Sequence, residues 1–372
     1  MKMLNITLLT HYIRKALYKV ISFKKKGLEL EAFLDEALER VHLPQYHYAA
    51  KTAQTINTKP LRILYVCLKY DYGNPKQGLS LEENVFFHSL VNMGYEIIRF
   101  DFKTLERRFG RYNMNRMLRE AVYRYDPDLL FSVLFKDELD KSVICEISTE
   151  TRTITINWFC DDHWRFDSYS RHWAPMFNWI VTTRKSVLPK YQEIGYKNAI
   201  LSQWACNHFL YRKLNLPYRY DVAFIGQPFG YRKEFVSRLR KAGINVSTWG
   251  YGWPAGRVTA FEMVKIFNQS KINLDFAEFS RGGKGIKARP FEIAGCGGFV
   301  LTEYVDELSE YYDIGNEVEC FSSFDELISK IRYYLSHDQE RETITQKGYE
   351  KTLAEHTYEK RFEHIFSLLG LA

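Results

Sequence analysis

Short apolar segments alternate with longer amphipathic segments from about residue 60 onward, and short turns separate them. Strands that alternate with helices in this way form parallel sheets covered by helices on both faces. The strand candidates fall into two series: 61–67, 96–100, 129–133, 153–158, 179–182 and 199–202, then 221–226, 246–249, 272–276, 298–302 and 319–321. The polar segment 207–220 interrupts the rhythm between them. The sequence therefore predicts an α/β protein with two doubly wound parallel sheets.

The length of 372 residues is enough for two domains of ordinary size. We predict a helical, basic extension over 1–58, a first domain over 59–215, a second over 216–345, and helices over 346–372 that pack back across the domains. Two helix starts in the second domain match the capping box, in which a hydroxyl and an acid satisfy free amides reciprocally. The pairs are Thr259 with Glu262, and Ser323 with Glu326.

The positive charge is concentrated at the N-terminus. The formal net charge is +7, and residues 1–26 contain seven basic side chains and no acidic one. A nucleic-acid-binding protein would spread a basic face over its folded body, so we expect no nucleic-acid partner. Apolar residues between Leu9 and Ile21 recur at near-helical spacing opposite the lysines. This segment is therefore either an amphipathic helix on an anionic membrane surface or a helix packed on the body with a solvated basic face.

The cysteines suggest a reducing compartment. All six are scattered, without a Cys-x-x-Cys pair and without a secretory segment ahead of them. No stretch approaches the roughly 20 apolar residues of a membrane-spanning helix. We expect a cytoplasmic protein, with contact to the inner face of the membrane as the alternative that the N-terminal helix leaves open.

The window 281–292, RGGKGIKARPFE, contains the strongest candidate for a binding site. It follows the strand candidate 272–276 and enters a helix at Pro290, so it lies at the carboxyl edge of the sheet, where α/β proteins collect their ligands. Lys284, Lys287 and Arg289 place positive charge where helix amides also favour an anion. Glu292 lies where a carboxylate can accept hydrogen bonds from two ribose hydroxyls. The alternative is a solvated basic loop beside an ordinary surface glutamate.

Residues within this window and after it resemble known protein families. The segment 291–303, FEIAGCGGFVLTE, resembles the donor-binding signature of retaining glycosyltransferases with the GT-B fold. The pattern Lys287-x-Arg289-x-Phe-Glu292, together with the step Thr302-Glu303 and the late His356-Thr-Tyr-x-x-Arg361, resembles the CgeB-type family of spore-maturation glycosyltransferases. The resemblance covers roughly residues 60–368 and is more specific in the second domain.

The resemblance implies two Rossmann-like domains that face a cleft, the first (59–215) for the acceptor and the second (216–345) for the nucleotide-sugar donor. It also implies transfer of a sugar with retention and without a metal ion. It also implies that Glu292 contacts the donor ribose. Relatives have a second glutamate eight positions earlier that contacts the sugar, but Lys284 occupies that position here. The donor-sugar contact is therefore unassigned.

The turn 226–233, GQPFGYRK, is a second candidate for a phosphate-binding element. Arg232 and Lys233 begin a helix after the first strand of the second domain, and Gly226 begins the turn. Surface basic residues follow many strands, so an ordinary solvated turn is the alternative. The spacing of the glycines differs from the Gly-x-Gly-x-x-Gly of dinucleotide enzymes, which argues against an NAD enzyme.

The first domain supplies candidates for catalysis in Asp161, Asp162 and His163, directly after an apolar strand. They could bind acceptor hydroxyls, orient the sugar or act as a base. Two adjacent aspartates also occur in transferases that hold a divalent ion, but the basic loop already supplies the countercharge, so we expect no metal. The alternative role is an aspartate that caps the next helix.

The sequence thus predicts a glycosyltransferase that uses a nucleoside-diphosphate sugar as donor substrate, without another cofactor, and a glycan or glycoconjugate acceptor. Two alternatives are a degenerate GT-B protein that binds a nucleotide or glycan without transfer, and another nucleotide-using α/β enzyme such as a dehydrogenase or epimerase.

Overall fold

A computed structural model describes residues 34, 38–41 and 60–371, and these divide into two compact units. The first unit comprises the described residues up to Ser202 and the stretch from Glu363 onward, and the second is Gln203–Phe362. The division precedes the predicted boundary at residue 215. The reason is that the intervening segment packs on the second unit: the amide of Leu214 donates to Asn268 Oδ1 over 2.6 Å, and Tyr211 is part of the core there.

In the described part of the first unit, the sheet has the strand order β1-β3-β2-β4-β5-β6-β7. Strands β2 to β7 are mutually parallel where they pair. The bounds are β1 Glu39–Val41, β2 Arg62–Val66, β3 Glu96–Phe100, β4 Leu129–Ser132, β5 Ile154–Phe159, β6 Trp179–Thr182 and β7 Ala199–Leu201. Since β4 lies on the other side of β2 from β3, the chain reverses direction across the sheet between β2 and β4.

Strand β1 corrects the prediction of a wholly helical extension over 1–58. It pairs antiparallel with β3, with Glu39 opposite Arg99. Three residues are too few to produce a periodic pattern, and the pairing is fixed by a partner almost 60 residues away. The predicted amphipathic helix near the N-terminus lies outside the described residues.

Helices cover the first sheet and bury a large apolar cluster against it, including Phe100, Leu118 and Leu130. Their bounds are α1 His88–Asn92, α2 Phe102–Tyr125, α3 Lys141–Glu150, α4 Asp162–Arg165, α5 Arg171–Trp173 and α6 Leu188–Glu193. A π-helical turn, Glu83–Phe87, precedes α1. The last helix of the chain, α12 (Tyr358–Leu368), begins in the second unit and ends in the first.

The second unit contains a parallel sheet with the order β12-β11-β10-β8-β9. The strands are β8 Tyr220–Ile225, β9 Val246–Trp249, β10 Ser270–Asp275, β11 Val300–Glu303 and β12 Glu319–Phe321. The remaining helices are α7 Arg232–Lys241, α8 Ala260–Asn268, α9 Ala288–Gly295, α10 Phe324–Ser336 and α11 Asp338–Glu355. Two separate apolar clusters pack on this sheet, one around Phe291 and Ile293 and the other around Phe224 and Leu274.

The predicted strands of both series are confirmed, with ends that differ by at most two residues. The Thr259–Glu262 capping box is present in full. At the second predicted box, the Ser323 hydroxyl accepts from the Glu326 amide, but the Glu326 carboxylate accepts from the amide of Ser322 instead. None of the helices in the described part of the chain is long and apolar enough to cross a membrane.

Candidate active site

The carboxyl ends of β8, β10 and β11, which are adjacent in the second sheet, bring together the candidates of the second unit. Lys287 Nζ donates to the carbonyl of Phe276 over 2.7 Å and to that of Glu278 over 2.5 Å. The guanidinium of Arg232 donates to the same carbonyls over 3.2 and 2.6 Å. Two cations predicted from separate segments therefore share two neutral oxygens at the end of β10.

These two cations differ in accessibility. Arg232 is buried, and its guanidinium carbon lies 3.6 Å from the centre of the Phe229 ring. Lys287 is only partly buried, yet burial lowers the pKa of its ammonium to about 8. A carbonyl is a weaker partner for an ammonium than a charged phosphate oxygen is. Lys287 can therefore exchange its carbonyl partners for an anion, whereas Arg232 braces the end of β10.

Glu303, the last residue of β11, forms a second cluster. It ends the segment 291–303 that resembles the donor-binding signature, but the sequence assigns it no role of its own. Its buried carboxylate accepts hydrogen bonds from the Tyr231 hydroxyl over 2.5 Å and from the Ala277 amide over 3.0 Å. Lys284 Nζ lies 2.6 Å from the same carboxylate. The signal that could have assigned it a role is its position at the carboxyl end of a central strand. Lys284, predicted to contact a ligand, forms an ion pair with this acid in the structure.

Glu292 lies inside α9, one turn after Arg289. Its carboxylate is buried and accepts a hydrogen bond of 2.7 Å from Arg289. Tyr211 is hydrogen-bonded to it as well. Burial raises the pKa of the Glu292 carboxyl, and the Arg289 charge opposes that shift. The predicted pair of Arg289 and Glu292 is thus brought together, but each partner is engaged with the other.

The glycine-rich loop is a closed turn. The Phe279 amide donates to Gly283 O and the Gly285 amide donates to Ala277 O. The chain therefore continues beyond β10 and then folds back on itself. Gly282 and Gly283 have φ angles of 88° and 79°, which residues with a Cβ adopt rarely. The turn itself therefore requires these two glycines, and Lys284 and Lys287 follow it in fixed positions.

The two remaining candidates of the second unit have different environments. The carbonyl of Gly226 accepts a hydrogen bond of 2.7 Å from the Trp253 indole, and its amide donates to Trp249 O. These bonds join the ends of β8 and β9. Lys233 is exposed on the first turn of α7.

In the first unit, the three candidates follow β5 but point to different places. Asp162 is buried and accepts a hydrogen bond of 2.8 Å from the Tyr191 hydroxyl. Burial raises the pKa of its carboxyl to about 6. Asp161 is half-buried and lines a small cavity at the carboxyl edge of the first sheet, and His163 is half-buried beside it in the chain. Asp161 thus faces the edge, whereas Asp162 faces the interior.

The late segment 356–361 has a structural role. His356 is buried, and its Nε2 lies 2.6 Å from the carbonyl of Tyr311. Its carbonyl accepts from the Cys206 amide over 2.8 Å, while Arg361 donates to Gln203 O over 3.1 Å. These bonds attach the end of α11 to the segment that opens the second unit.

Together the two α/β units with parallel sheets form a GT-B fold, the fold of one large class of glycosyltransferases. Residues 232–367 match the family described as glycosyl transferase-like. The matched region begins at Arg232 and includes Lys287, Glu292 and Glu303. The fold and this match together support a glycosyltransferase of the GT-B class. No curated protein matches the chain at the level of sequence.

Similar solved structures agree with this fold. A glycosyltransferase from Rickettsia africae is 12% identical, with a TM-score of 0.58 over 85% of this chain and 100% of that one. Sucrose-phosphate synthase from Thermosynechococcus elongatus is 10% identical, with a TM-score of 0.55 over 83% and 99%. Anabaena HepE in complex with UDP-glucose is 11% identical, with a TM-score of 0.52 over 84% and 100%. At such identities the likeness concerns the fold alone.

Proposed function

We propose that this protein transfers a glycosyl group from a nucleoside-diphosphate sugar to an acceptor hydroxyl. The observation that carries the proposal is the pair of Lys287 and Arg232 on the carbonyls at the end of β10, within the region that matches the glycosyl transferase-like family. The HepE structures with UDP and with UDP-glucose support a donor of this kind. When the sugar is transferred, the nucleoside diphosphate departs with additional negative charge. A site for such a donor therefore needs cations that can stabilise this charge.

In the proposed mechanism, Lys287 turns from the carbonyls of Phe276 and Glu278 to the oxygens of the diphosphate. Negative charge on these oxygens grows as the bond to the sugar breaks, so the ammonium stabilises the transition state more than the ground state. Arg232 keeps the end of β10 in place and adds its positive potential. We further propose that transfer proceeds with retention, without a metal ion, and that the chain is of the CgeB type.

The donor is identified by thermal shift with UDP, GDP, ADP, CMP and their common sugars, since a ligand that binds only the folded state raises the melting temperature. We expect one nucleotide series to give a shift that Lys287→Ala removes and Glu292→Ala reduces. Lys241→Ala, an exposed lysine at the end of α7, is the matched control and keeps the shift. A shift of parental size in both Lys287→Ala and Glu292→Ala would place the nucleotide elsewhere.

Retention and metal independence are tested on the product. The anomeric configuration is measured by NMR of the freshly formed glycoside, and transfer is measured with and without EDTA. We expect the configuration of the donor to be retained and the rate to be unchanged by the chelator. An inverted product, or a rate that EDTA abolishes and one divalent ion restores, contradicts the respective part of the proposal.

The ion pair between Lys284 and Glu303 favours a second candidate, a GT-B protein that binds a nucleotide or glycan without transfer. The pair joins a lysine to a carboxylate at the carboxyl edge, where a free acid could otherwise bind sugar hydroxyls. The two functions differ in one measurement. A transferase releases UDP or GDP from its donor in the presence of an acceptor, whereas a binding protein leaves the donor intact.

A further inference from the structure

The loop 70–81, which follows β2, and the first half of α2 form a basic surface within the first unit. Residues 102–116 of α2 contain five basic side chains and one acidic side chain. The acid, Glu106, is already paired with Lys103 over 2.6 Å. The exposed arginines of this stretch that form no ion pair with a residue the structure describes are Arg107, Arg108 and Arg116. The basic surface therefore carries uncompensated positive charge.

The loop is fixed to the helix. Gly73 packs so closely on α2 that a Cβ at this position would collide with the side chain of Lys103. The guanidinium of Arg107 donates a hydrogen bond to the carbonyl of Gly73. At the base of the loop, Tyr70 and Leu79 form an antiparallel bridge. Loop and helix thus present their side chains to solvent as one surface.

Large apolar side chains lie on the same surface. In the loop, Tyr72 is 73% exposed, and Leu79 and Leu81 are 41% and 43% exposed. Tyr112 of α2 is 73% exposed as well. Tyr72 also has a φ angle of 48°, in the left-handed region that a bulky residue rarely adopts. Such backbone outliers cluster at ligand-binding and switch regions, so an aromatic ring held in solvent in this way indicates a binding surface.

We propose that the basic surface docks on an anionic membrane. The guanidinium groups of Arg107, Arg108 and Arg116 contact lipid phosphates, which arginine can hold with two parallel hydrogen bonds. Tyr72 and Tyr112 lie at the level of the headgroups, because a tyrosine has an apolar ring and a polar hydroxyl and is enriched at the boundary between membrane and water. This docking does not depend on glycosyl transfer. It also uses folded residues that are distinct from the basic N-terminal segment.

A nucleic acid is the other polyanion that this charge could attract. Proteins that bind single strands combine a positive groove with aromatic rings on which the bases stack. Leu79 and Leu81 cannot stack in this way, whereas aliphatic side chains gain from burial at the boundary between headgroups and acyl chains. The combination of exposed leucines, tyrosines and arginines therefore favours a lipid surface.

The experiment measures binding of the full chain to lipid vesicles by co-sedimentation. The vesicles consist of phosphatidylcholine alone or with about one third phosphatidylglycerol, which supplies a negative surface potential. We expect binding to the anionic vesicles only, and weaker binding as the salt concentration rises. Each basic residue near such a surface strengthens binding about fivefold, so Arg108→Ala combined with Arg116→Ala should weaken it about 25-fold.

Tyr72→Asn separates docking from folding. Asparagine adopts the left-handed backbone conformation more readily than tyrosine does, so the variant should melt at a temperature no lower than that of the parent. It should nevertheless bind the anionic vesicles more weakly, because the exposed ring is absent. A variant that melts like the parent and also binds like the parent would exclude Tyr72 from the docking surface and contradict the proposed role of its ring.

Lys197→Ala combined with Lys241→Ala is the matched control, since it removes two exposed positive charges outside the basic surface. It should bind the anionic vesicles as the parent does. Alanine substitution of the three lysines at 24–26 tests the N-terminal segment in the same assay. The inference is overturned if the parent does not bind the anionic vesicles, or if the arginine double variant binds like the matched control while the substitutions at 24–26 abolish binding. It is also overturned if a single-stranded oligonucleotide binds the parent and the vesicles do not.

Discussion

Lys284 and Glu303 form an ion pair of 2.6 Å in which the lysine is half exposed and the carboxylate is buried. The two residues contribute unequally to the stability of the fold, since Glu303 also accepts hydrogen bonds from Tyr231 and from the amide of Ala277. The carboxylate is therefore the centre of the cluster, and the lysine is its solvent-exposed partner.

The loss in the free energy of unfolding should therefore differ between the substitution of Lys284 and that of Glu303. Lys284→Ala removes a partly exposed ion pair, and we expect it to lower the free energy of unfolding by at most about 1 kcal/mol. Glu303→Ala leaves the Tyr231 hydroxyl and the Ala277 amide without their acceptor, so we expect a loss of about 1–3 kcal/mol. Urea unfolding measures both. Equal losses in the two variants would show that the ion pair, and not the hydrogen bonds, dominates the cluster.

The low pKa of Lys287 predicts how nucleotide binding depends on pH. Burial lowers this pKa to about 8, and a bound diphosphate favours the charged ammonium and so raises it. Binding therefore takes up a proton above pH 8 and none well below it. We expect the dissociation constant of the preferred nucleotide sugar to be constant below about pH 7 and to increase steadily from pH 8 to 10, as measured by calorimetry.

Lys287→Arg provides the control for this pH dependence, because a guanidinium stays charged throughout the range. The variant should bind with a nearly constant dissociation constant from pH 7 to 10, whatever its absolute affinity. A parental rise with pH that persists in Lys287→Arg would assign the titration to another group.

The sequence predicted the sheets well because each strand signal is local. Val222 to Ile225, for example, form an apolar run that is buried from both sides, and such a run is visible without knowledge of its partners. The short β1 carries no such run, and its strand character comes from the edge of β3. Fold class was therefore predictable, whereas an edge strand fixed by a distant partner was not.

The site was predicted only in part, for a related reason. Sequence shows that Arg232 and Lys287 follow strands, but it does not show that both turn to the carbonyls of Phe276 and Glu278. Asp161 and Asp162 are adjacent and chemically identical, yet only the fold determines which of them meets Tyr191. Which residue type occurs at the carboxyl edge can be deduced from local pattern, whereas the direction of each side chain depends on residues far away in the chain.

His356 predicts a pH-dependent loss of stability. Burial lowers its pKa to about 4, below the ordinary value of about 6.5, so the folded protein binds the proton less well than the unfolded chain. Its contribution to stability is complete above pH 6.5 and is lost as the pH falls toward 4. The loss in the free energy of unfolding from this group between pH 7 and pH 5 is about 2 kcal/mol.

Urea unfolding of the parent and of His356→Asn at pH 7 and pH 5 isolates this contribution. The variant should be less stable at pH 7, since the contact with Tyr311 O changes, but it should lose about 2 kcal/mol less than the parent on acidification. Equal losses in both proteins would mean that other groups cause the acid sensitivity.

Substitutions of the two adjacent aspartates of the first unit should differ in their effects on stability and on transfer. Asp162→Ala leaves the buried Tyr191 hydroxyl without its acceptor, so we expect a loss of about 1–3 kcal/mol in the free energy of unfolding. Asp161→Ala alters the border of a cavity, and we expect a loss below about 1 kcal/mol but a clear fall in the transfer rate. The two quantities are measured by urea unfolding and by release of the nucleoside diphosphate.

Asp162→Asn completes this comparison because the amide keeps the size of the side chain and an acceptor for Tyr191. If Asp162 only supports the fold, this variant should retain most of both the stability and the transfer rate. If its rate instead falls as far as that of Asp161→Ala while its stability is unchanged, the carboxylate of Asp162 acts in transfer from its buried position. That result would require the interior around Tyr191 to open during the reaction, since the carboxylate has no exposed path to a substrate as it stands.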